Sequence, residues 1–339
     1  MEKSKHINIP VFIPHLGCPN QCVFCDQRTI SGTARFDESD VRRIIDDAVS
    51  SSAGAEREIA FFGGSFTGID RGLMIRLLDL AEEYVAEGDA CGIRMSTRPD
   101  YIDGEIISIL SRYTVSEVEL GIQSMSDRVL ALSKRGHTAD DTRRAAASLT
   151  AAGIGVCGQM MIGLPGSTLS DETDTAREIC GMGCSDARVY PTLVFKGTQL
   201  DEMLRRGEYV SLTVDEAADR MACVLDIFDR RGVRCLRSGL CDSENLHDSS
   251  TFSAGPNHPS IGEIAMGRIF YKRIAEALSG VAIPDGASLT VECPRGAVSK
   301  VTGHKGENRE RIFREFGIKS LKAIENDRLL GYNIKVLFS

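Results

Sequence analysis

Ile7-Asn8-Ile9-Pro10-Val11-Phe12-Ile13-Pro14 runs straight into His15-Leu16-Gly17-Cys18-Pro19-Asn20-Gln21-Cys22-Val23-Phe24-Cys25. The first eight residues form an apolar run of strand length rather than helix length. Pro19, Asn20 and Gln21 do not suit a continuous buried strand, so the cysteines belong to a turn that follows it. The spacing CxxxCxxC in one turn lets three thiolates face one centre. Three cysteines on a four-iron cluster leave one iron open to an exogenous ligand, which is what substrate chemistry requires. The competing reading is a structural zinc site, which normally takes four protein ligands, with His15 the nearest candidate for the fourth.

Working outward, the same unit recurs to about Arg231: a short apolar run, a glycine-rich or polar turn, then an amphipathic stretch. The spacing predicts six parallel strands, at Ile7–Pro14, Ile59–Phe62, Gly92–Met95, Val115–Leu120, Val156–Ile162 and Arg188–Phe195. Helical patterns lie between them at Ser39–Ser50, Asp70–Ala86, Asp140–Ala152 and Ser170–Cys180, several opening with Ser or Asp as N-caps. Right-handed strand and helix units build either an open doubly wound sheet or a barrel, and the pattern alone does not choose. In both, the polar and glycine-rich motifs that follow the strands share one rim. A helix at Val214–Arg231 ends the repeat. An irregular segment follows at Arg237–Gly262, then a helix at Glu263–Leu278 and a linker at Val281–Ala287.

The chain has 339 residues, 42% apolar and 26% charged, which is ample for one large domain and one small one. No apolar run approaches the roughly 20 residues that span a bilayer, and Met1–Pro10 lacks the core of a secretory signal, so a cytoplasmic protein is expected. Eleven cysteines, an odd number scattered over a long chain, make a poor disulfide framework. Metal or redox chemistry fits them better. Most of the others, Cys91, Cys157, Cys180, Cys184, Cys223, Cys235, Cys241 and Cys293, read as small core residues, with a thiol near the irregular loop (Cys235 or Cys241) the alternative for action on substrate. A net charge of −8 argues against general adhesion to nucleic acid and leaves room for a local basic face.

The CxxxCxxC turn, with the aromatic Phe24 before its last cysteine, resembles the cluster motif of the radical S-adenosylmethionine (SAM) superfamily. The resemblance implies a [4Fe-4S] cluster on Cys18, Cys22 and Cys25. The amino and carboxylate groups of S-adenosyl-L-methionine would chelate its open iron, and reductive cleavage would give a 5′-deoxyadenosyl radical. An electron donor such as flavodoxin or ferredoxin is implied as a partner. Phe61-Phe62-Gly63-Gly64-Ser65-Phe66-Thr67-Gly68 resembles the superfamily's GGE segment, with Ser65 standing where Glu is usual.

Further matches resemble the branch that contains oxygen-independent coproporphyrinogen oxidase and the Elongator catalytic subunit: Ser96-Thr97-Arg98-Pro99-Asp100, Glu119-Leu120-Gly121-Ile122-Gln123-Ser124, Lys134-Arg135-Gly136-His137 and Gln159-Met160-Met161-Ile162-Gly163-Leu164-Pro165-Gly166. By that resemblance Phe24, Gly63, Gly64, Ser65, Ser96, Gln123, Arg135 and Gln159 contact the cofactor. Read without it, Arg135 is a solvated helix-end cation and Gln123 satisfies a neighbouring backbone group. The implied fold is α/β, a partial (β/α)6 TIM-like barrel over 1–235, with 236–280 as a covering loop and helix. The stretch beyond Pro191 is short and does not resemble the acetyltransferase domain that Elongator enzymes carry there, so full wobble-uridine carboxymethylation by this chain alone is not expected. His137, His258 and the loop at Arg237–Gly262 are candidates for shaping the substrate pocket.

Residues 281–339 read as a small α+β unit: a strand at Ser288–Cys293, helices at Ala297–Thr302 and Glu307–Phe316, and extended stretches at Ile318–Ile324 and Asn333–Phe338. Gly303-His304-Lys305-Gly306 lies between the helices. The order and the GxxG loop resemble a KH domain, whose loop clamps a single-stranded nucleic-acid backbone. From Val291 onward ten basic residues face six acidic ones, a surplus of four. RNA, transfer RNA in particular, is the expected substrate. The alternatives are a radical SAM enzyme on a small-molecule or tetrapyrrole substrate and a non-catalytic zinc and RNA-binding protein.

Overall fold

The computed structural model describes residues 6–14, 16–18, 22–26, 36–240, 251–284 and 286–338. His15, Pro19, Asn20, Gln21, Cys241 and part of the irregular segment fall outside the described residues. Among those described, no helix is long and apolar enough to cross a membrane.

Each βα repeat forms for a local reason. The strands are β1 (His6–Phe12), β2 (Glu56–Phe62), β3 (Gly92–Thr97), β4 (Val115–Gln123), β5 (Gly155–Ile162) and β6 (Asp186–Pro191). The helices between them are set by side-chain caps. Asp70 accepts from the Leu73 amide, and Thr138 and Thr168 form reciprocal capping boxes with Asp141 and Asp171. The caps of the helices Ala139–Ala151 and Leu169–Gly181 are thus threonines, each two residues before the Asp140 and Ser170 expected from sequence.

The large sheet has the order β1-β2-β3-β4-β5-β6 followed by a strand at Arg234–Ser238, every neighbour parallel, so it carries a seventh strand beyond the six expected. The run expected at Arg188–Phe195 stops at Pro191. β7 (Val194–Phe195) then pairs antiparallel with β9 (Phe252–Ala254). The added strand, β8 (Arg234–Ser238), is a half-exposed edge carrying two arginines, which hides its strand character from an apolar-run criterion.

Side chains alternate across the sheet. Ile9, Val11, Ile59, Phe61, Ile93, Met95, Val118 and Leu120 sink into one core with Met74, Leu78, Leu149 and Leu225 of the helices. The opposite face takes the intervening positions and is strongly polar. There Arg94 sits between Glu58, at 3.3 Å, and Glu117, while Glu119 meets Arg188 at 2.9 Å.

Beyond β9, the helix Ile261–Leu278 belongs to two cores. Ile261, Ile264, Ala265 and Ile269 pack with the large sheet's helices, and Phe270, Ile274 and Leu278 pack with Leu289, Val291, Val301 and Ile312. Arg273, on the same helix, reaches Asp226 at 2.6 Å and Asp229 at 3.4 Å, which ties it to the helix Val214–Arg231. The last unit places β10 (Ser288–Cys293) between a parallel β11 (Ser320–Glu325) and an antiparallel β12 (Lys335–Phe338). The helices Val298–Thr302 and Glu307–Phe316 flank its GxxG loop.

Candidate active site

Parallel strands deliver all their following loops to one rim, and glycines lock those loops together. Gly17 adopts φ +68°, and a Cβ on it would lie 2.2 Å from the Ser65 carbonyl oxygen and 2.6 Å from Gly68. A Cβ on Gly64 would fall 2.5 Å from the Leu16 carbonyl oxygen, and one on Gly68 2.5 Å from the Tyr101 ring. The Ser65 amide donates to Leu16 at 3.0 Å and the Val23 amide to Ser133 at 3.1 Å. The cysteine turn is therefore stapled to the loops after β2, β3 and β4. Val23 packs with Val194, Leu200 and Tyr209, and Phe24 leans on that cluster.

Cys22 is buried, while Cys18 and Cys25 are partly exposed. Burial pushes the Cys25 thiol up to about 12, with Cys22 and Cys18 adding to the rise and Arg135 opposing it. Arg135 is buried: its Nη1 donates to the Cys22 sulfur at 3.4 Å and its Nη2 to the Gly121 carbonyl at 2.8 Å. It is not a solvated helix-end cation. Among the described residues no three His, Cys, Asp or Glu side chains converge on an ion-sized centre. A multi-iron cluster does not ask for that, because each cysteine binds a different iron.

Gln123 ends β4 with φ +65°, a conformation a non-glycine residue adopts at a cost of about 1–3 kcal/mol, beside a register shift against β5. There its amide exchanges two hydrogen bonds with Gln159, at 2.7 and 2.9 Å. Each amide has two N–H groups and a carbonyl with two lone pairs, so the reciprocal pair keeps spare donors and acceptors for a ligand. Ser96 stands across from Glu119 in the β3–β4 register.

Glu119, Arg188 and Arg98, on this rim and the face beneath it, were not singled out from sequence. Burial raises the Glu119 carboxyl, opposed by Arg188. The nearest atoms of that pair are poorly aligned, which makes it an ion pair rather than a hydrogen bond. Arg98 is only 3% exposed, is forked on Asp100 at 3.0 and 2.8 Å, and couples electrostatically to Cys22 and Cys18. Alternation along Val115–Gln123 signals that Glu119 turns to the polar face; no local signal marks Arg98 as buried. His137, a pocket candidate, is buried, which pushes its imidazole down to about 4, Arg135 adding to the effect.

The GxxG loop meets the rim elsewhere. Gly303 has φ +81°, and a Cβ there would lie 2.6 Å from the Asn308 amide nitrogen. Buried Asn308 donates to the carbonyls of Gly267 (2.7 Å), Lys300 (3.1 Å) and Val301 (3.2 Å), fastening the loop to the helix Ile261–Leu278. His304 and Lys305 are exposed, and the His304 ring meets His258 edge to face at 5.5 Å. His258 precedes that helix, whose Gly262 abuts Ser238 at the end of β8.

Two family models match in succession: the Radical SAM superfamily over residues 12–179 and the Radical_SAM C-terminal domain over residues 185–269. The chain belongs to the radical SAM superfamily and is an enzyme of that class, working with a [4Fe-4S] cluster and S-adenosyl-L-methionine. Among its relatives, Uncharacterized protein MJ0486 of Methanocaldococcus jannaschii is 28% identical over 225 residues, covering 62% of this chain and 68% of that protein. A tRNA uridine(34) acetyltransferase of the same organism is 34% identical over 137 residues, covering 40% of this chain and 25% of that protein. This chain thus matches about a quarter of the acetyltransferase's length. In fold it is similar to the archaeal Methanocaldococcus infernus Elp3 (TM-score 0.59, 23% identity, 87% of this chain and 72% of that one). It is also similar to coproporphyrinogen III oxidase from Escherichia coli (TM-score 0.51, 16% identity, 68% of this chain and 53% of that one). The partial (β/α) barrel expected from sequence is the observed architecture, with one strand added at its edge.

Proposed function

We propose that this enzyme modifies RNA, transfer RNA in particular. The observation that carries the reading is the joining of two devices on one scaffold: a cysteine turn backed by buried arginines, and a GxxG loop fastened by Asn308 to the helix that packs on the barrel. The partial match to tRNA uridine(34) acetyltransferases supports the same substrate class.

In this reading Cys18, Cys22 and Cys25 hold the cluster, and the donor set fits it: three thiols in one turn, one beside a buried guanidinium. When bound, the cluster and cofactor supply reductive cleavage to a 5′-deoxyadenosyl radical. The protein's own residues bind and orient. Gly63, Gly64 and Ser65 offer backbone at close approach; Gln123 and Gln159 offer amides; Arg135 and Ser96 complete the cofactor's surround, with Phe24 closing the turn. The stapled loops keep water from Cys22, the buried member of the three. Gly303, His304, Lys305 and Gly306 grip the RNA backbone as a KH-like unit over 281–339, while 236–280 covers the barrel of 1–235. A flavodoxin or ferredoxin supplies the electron.

The test is anaerobic reconstitution with iron and sulfide, then incubation with SAM, a one-electron reductant and total tRNA. Deoxyadenosine and a mass shift in digested nucleosides are expected, both lost in Cys18→Ser. Deoxyadenosine without a nucleoside change in any RNA pool would remove the substrate class while leaving the enzyme class intact.

A further inference from the structure

Arg98 is the residue of the rim whose geometry most exceeds a structural need. Its guanidinium has five N–H bonds. Nε and Nη2 are committed to the two oxygens of Asp100, at 3.0 and 2.8 Å. Nη1 is buried and has no partner among the described residues. The group is held from two sides: the Tyr101 ring centroid lies 5.3 Å from its central carbon, and a Cβ on Gly136 would come within 3.1 Å of Nη2. Besides Asp100, the groups electrostatically coupled to it include Cys22, Cys18 and buried His137.

The pair is asymmetric in solvent. The Arg98 side chain is 3% exposed and that of Asp100 is 24% exposed, so water screens the carboxylate more than the guanidinium. The ion pair therefore presents its positive end inward, against Gly136, the residue next to the Arg135 that meets the Cys22 sulfur. A four-iron cluster gains negative charge on reduction, and its potential follows net charge, hydrogen bonds to sulfur and solvent exposure. A fixed buried cation with a spare N–H favours the reduced form, and a residue kept only to pair with Asp100 would not need to be buried with an N–H left unpartnered.

We propose that Arg98 is a redox-positioning residue, its uncommitted Nη1–H donating to a sulfur of the cluster and raising the cluster's affinity for an electron. This rests on the reading that Cys18, Cys22 and Cys25 hold that cluster. The step is a single electron passing from an external low-potential one-electron donor to the cluster, with no bond broken and no proton moved.

The full chain, reconstituted anaerobically, is titrated with titanium(III) citrate and redox mediators. The reduced cluster is counted by spin resonance, and iron and sulfide contents are measured on the same samples. At the poise that half-reduces the wild-type cluster, Arg98→Met is expected to lower the reduced-to-oxidised ratio about tenfold, or 59 mV for one electron. Asp100→Asn, which removes the compensating charge, is expected to shift it the other way. A loaded Arg98→Met cluster that titrates at the wild-type potential overturns the proposal, even if loading is reduced. If Arg98→Met takes up no iron, Asp100→Asn decides: an unchanged potential there also overturns it. Failure of the wild-type chain to assemble any cluster would instead defeat the reading of the cysteines, a distinct result.

Discussion

Replacing Gly17 by alanine tests whether close backbone approach is what seats the cysteine turn. Two costs add. At φ +68° an alanine pays about 1–2 kcal/mol for the left-handed conformation. Its Cβ would also stand 2.2 Å from the Ser65 oxygen and 2.6 Å from two atoms of the Gly68–Ile69 backbone, so two loops must part. Overpacking of that kind costs about 1–3 kcal/mol, giving roughly 2–5 kcal/mol in all. Gly54 supplies the control: it has φ +79° and nothing within 4 Å of a built Cβ, so Gly54→Ala pays the first cost alone. Urea unfolding of the two variants with wild-type slopes isolates the second cost as a difference of about 1–3 kcal/mol. Gly17→Ala should also retain less iron after reconstitution, because Cys18 moves with residue 17. Equal losses of stability in the two variants would refute the stapled-rim argument.

Three other outcomes follow from the geometry. Arg94→Met leaves Glu117 buried without its cation and Glu58 with only His6 and Ser116, and should cost about 3–5 kcal/mol in urea unfolding; a loss under about 1 kcal/mol would mean that those remaining partners compensate both carboxylates. Asn308→Ala strips a donor from three carbonyls, costing about 1–3 kcal/mol, and by loosening the GxxG loop should weaken RNA retention in a filter assay while deoxyadenosine formation without RNA is unchanged. His137, pushed down to about 4 from 6.5, binds a proton in the unfolded chain before it does so in the folded one. Its contribution is therefore full above pH 6.5 and falls away as pH drops toward 4, by about 3 kcal/mol in total. The stability difference between wild type and His137→Gln, measured by urea midpoints across that window, should change by that amount; a constant difference would contradict the burial argument.

The local grammar of the chain was legible residue by residue. Apolar runs marked the six successive strands, and the helix Val214–Arg231 lies where its pattern puts it. The cysteine spacing and the GxxG glycines lie in turns, as their neighbours require. Less legible were features whose meaning depends on what stands opposite. Arg234 and Arg237 make β8 look unlike a strand until β6 is seen beside it, where Arg234 reaches Asp186 at 2.7 Å. Threonine caps were passed over for nearby Asp and Ser because the choice depends on where the backbone turns helical.

Periodicity, turn chemistry and donor spacing are properties of a few consecutive residues, so the chain alone determined its α/β class, the three thiols in one turn and the basic tail. Only the folded structure decided that Arg135 lies on Cys22 from 113 positions away, that Arg98 is buried with an N–H to spare, and that one helix serves two cores. Such contacts arise where loops from different strands meet on a common rim. Burial, which decides whether a charge is screened by water or felt by its neighbours, is a property of that meeting rather than of any segment in it.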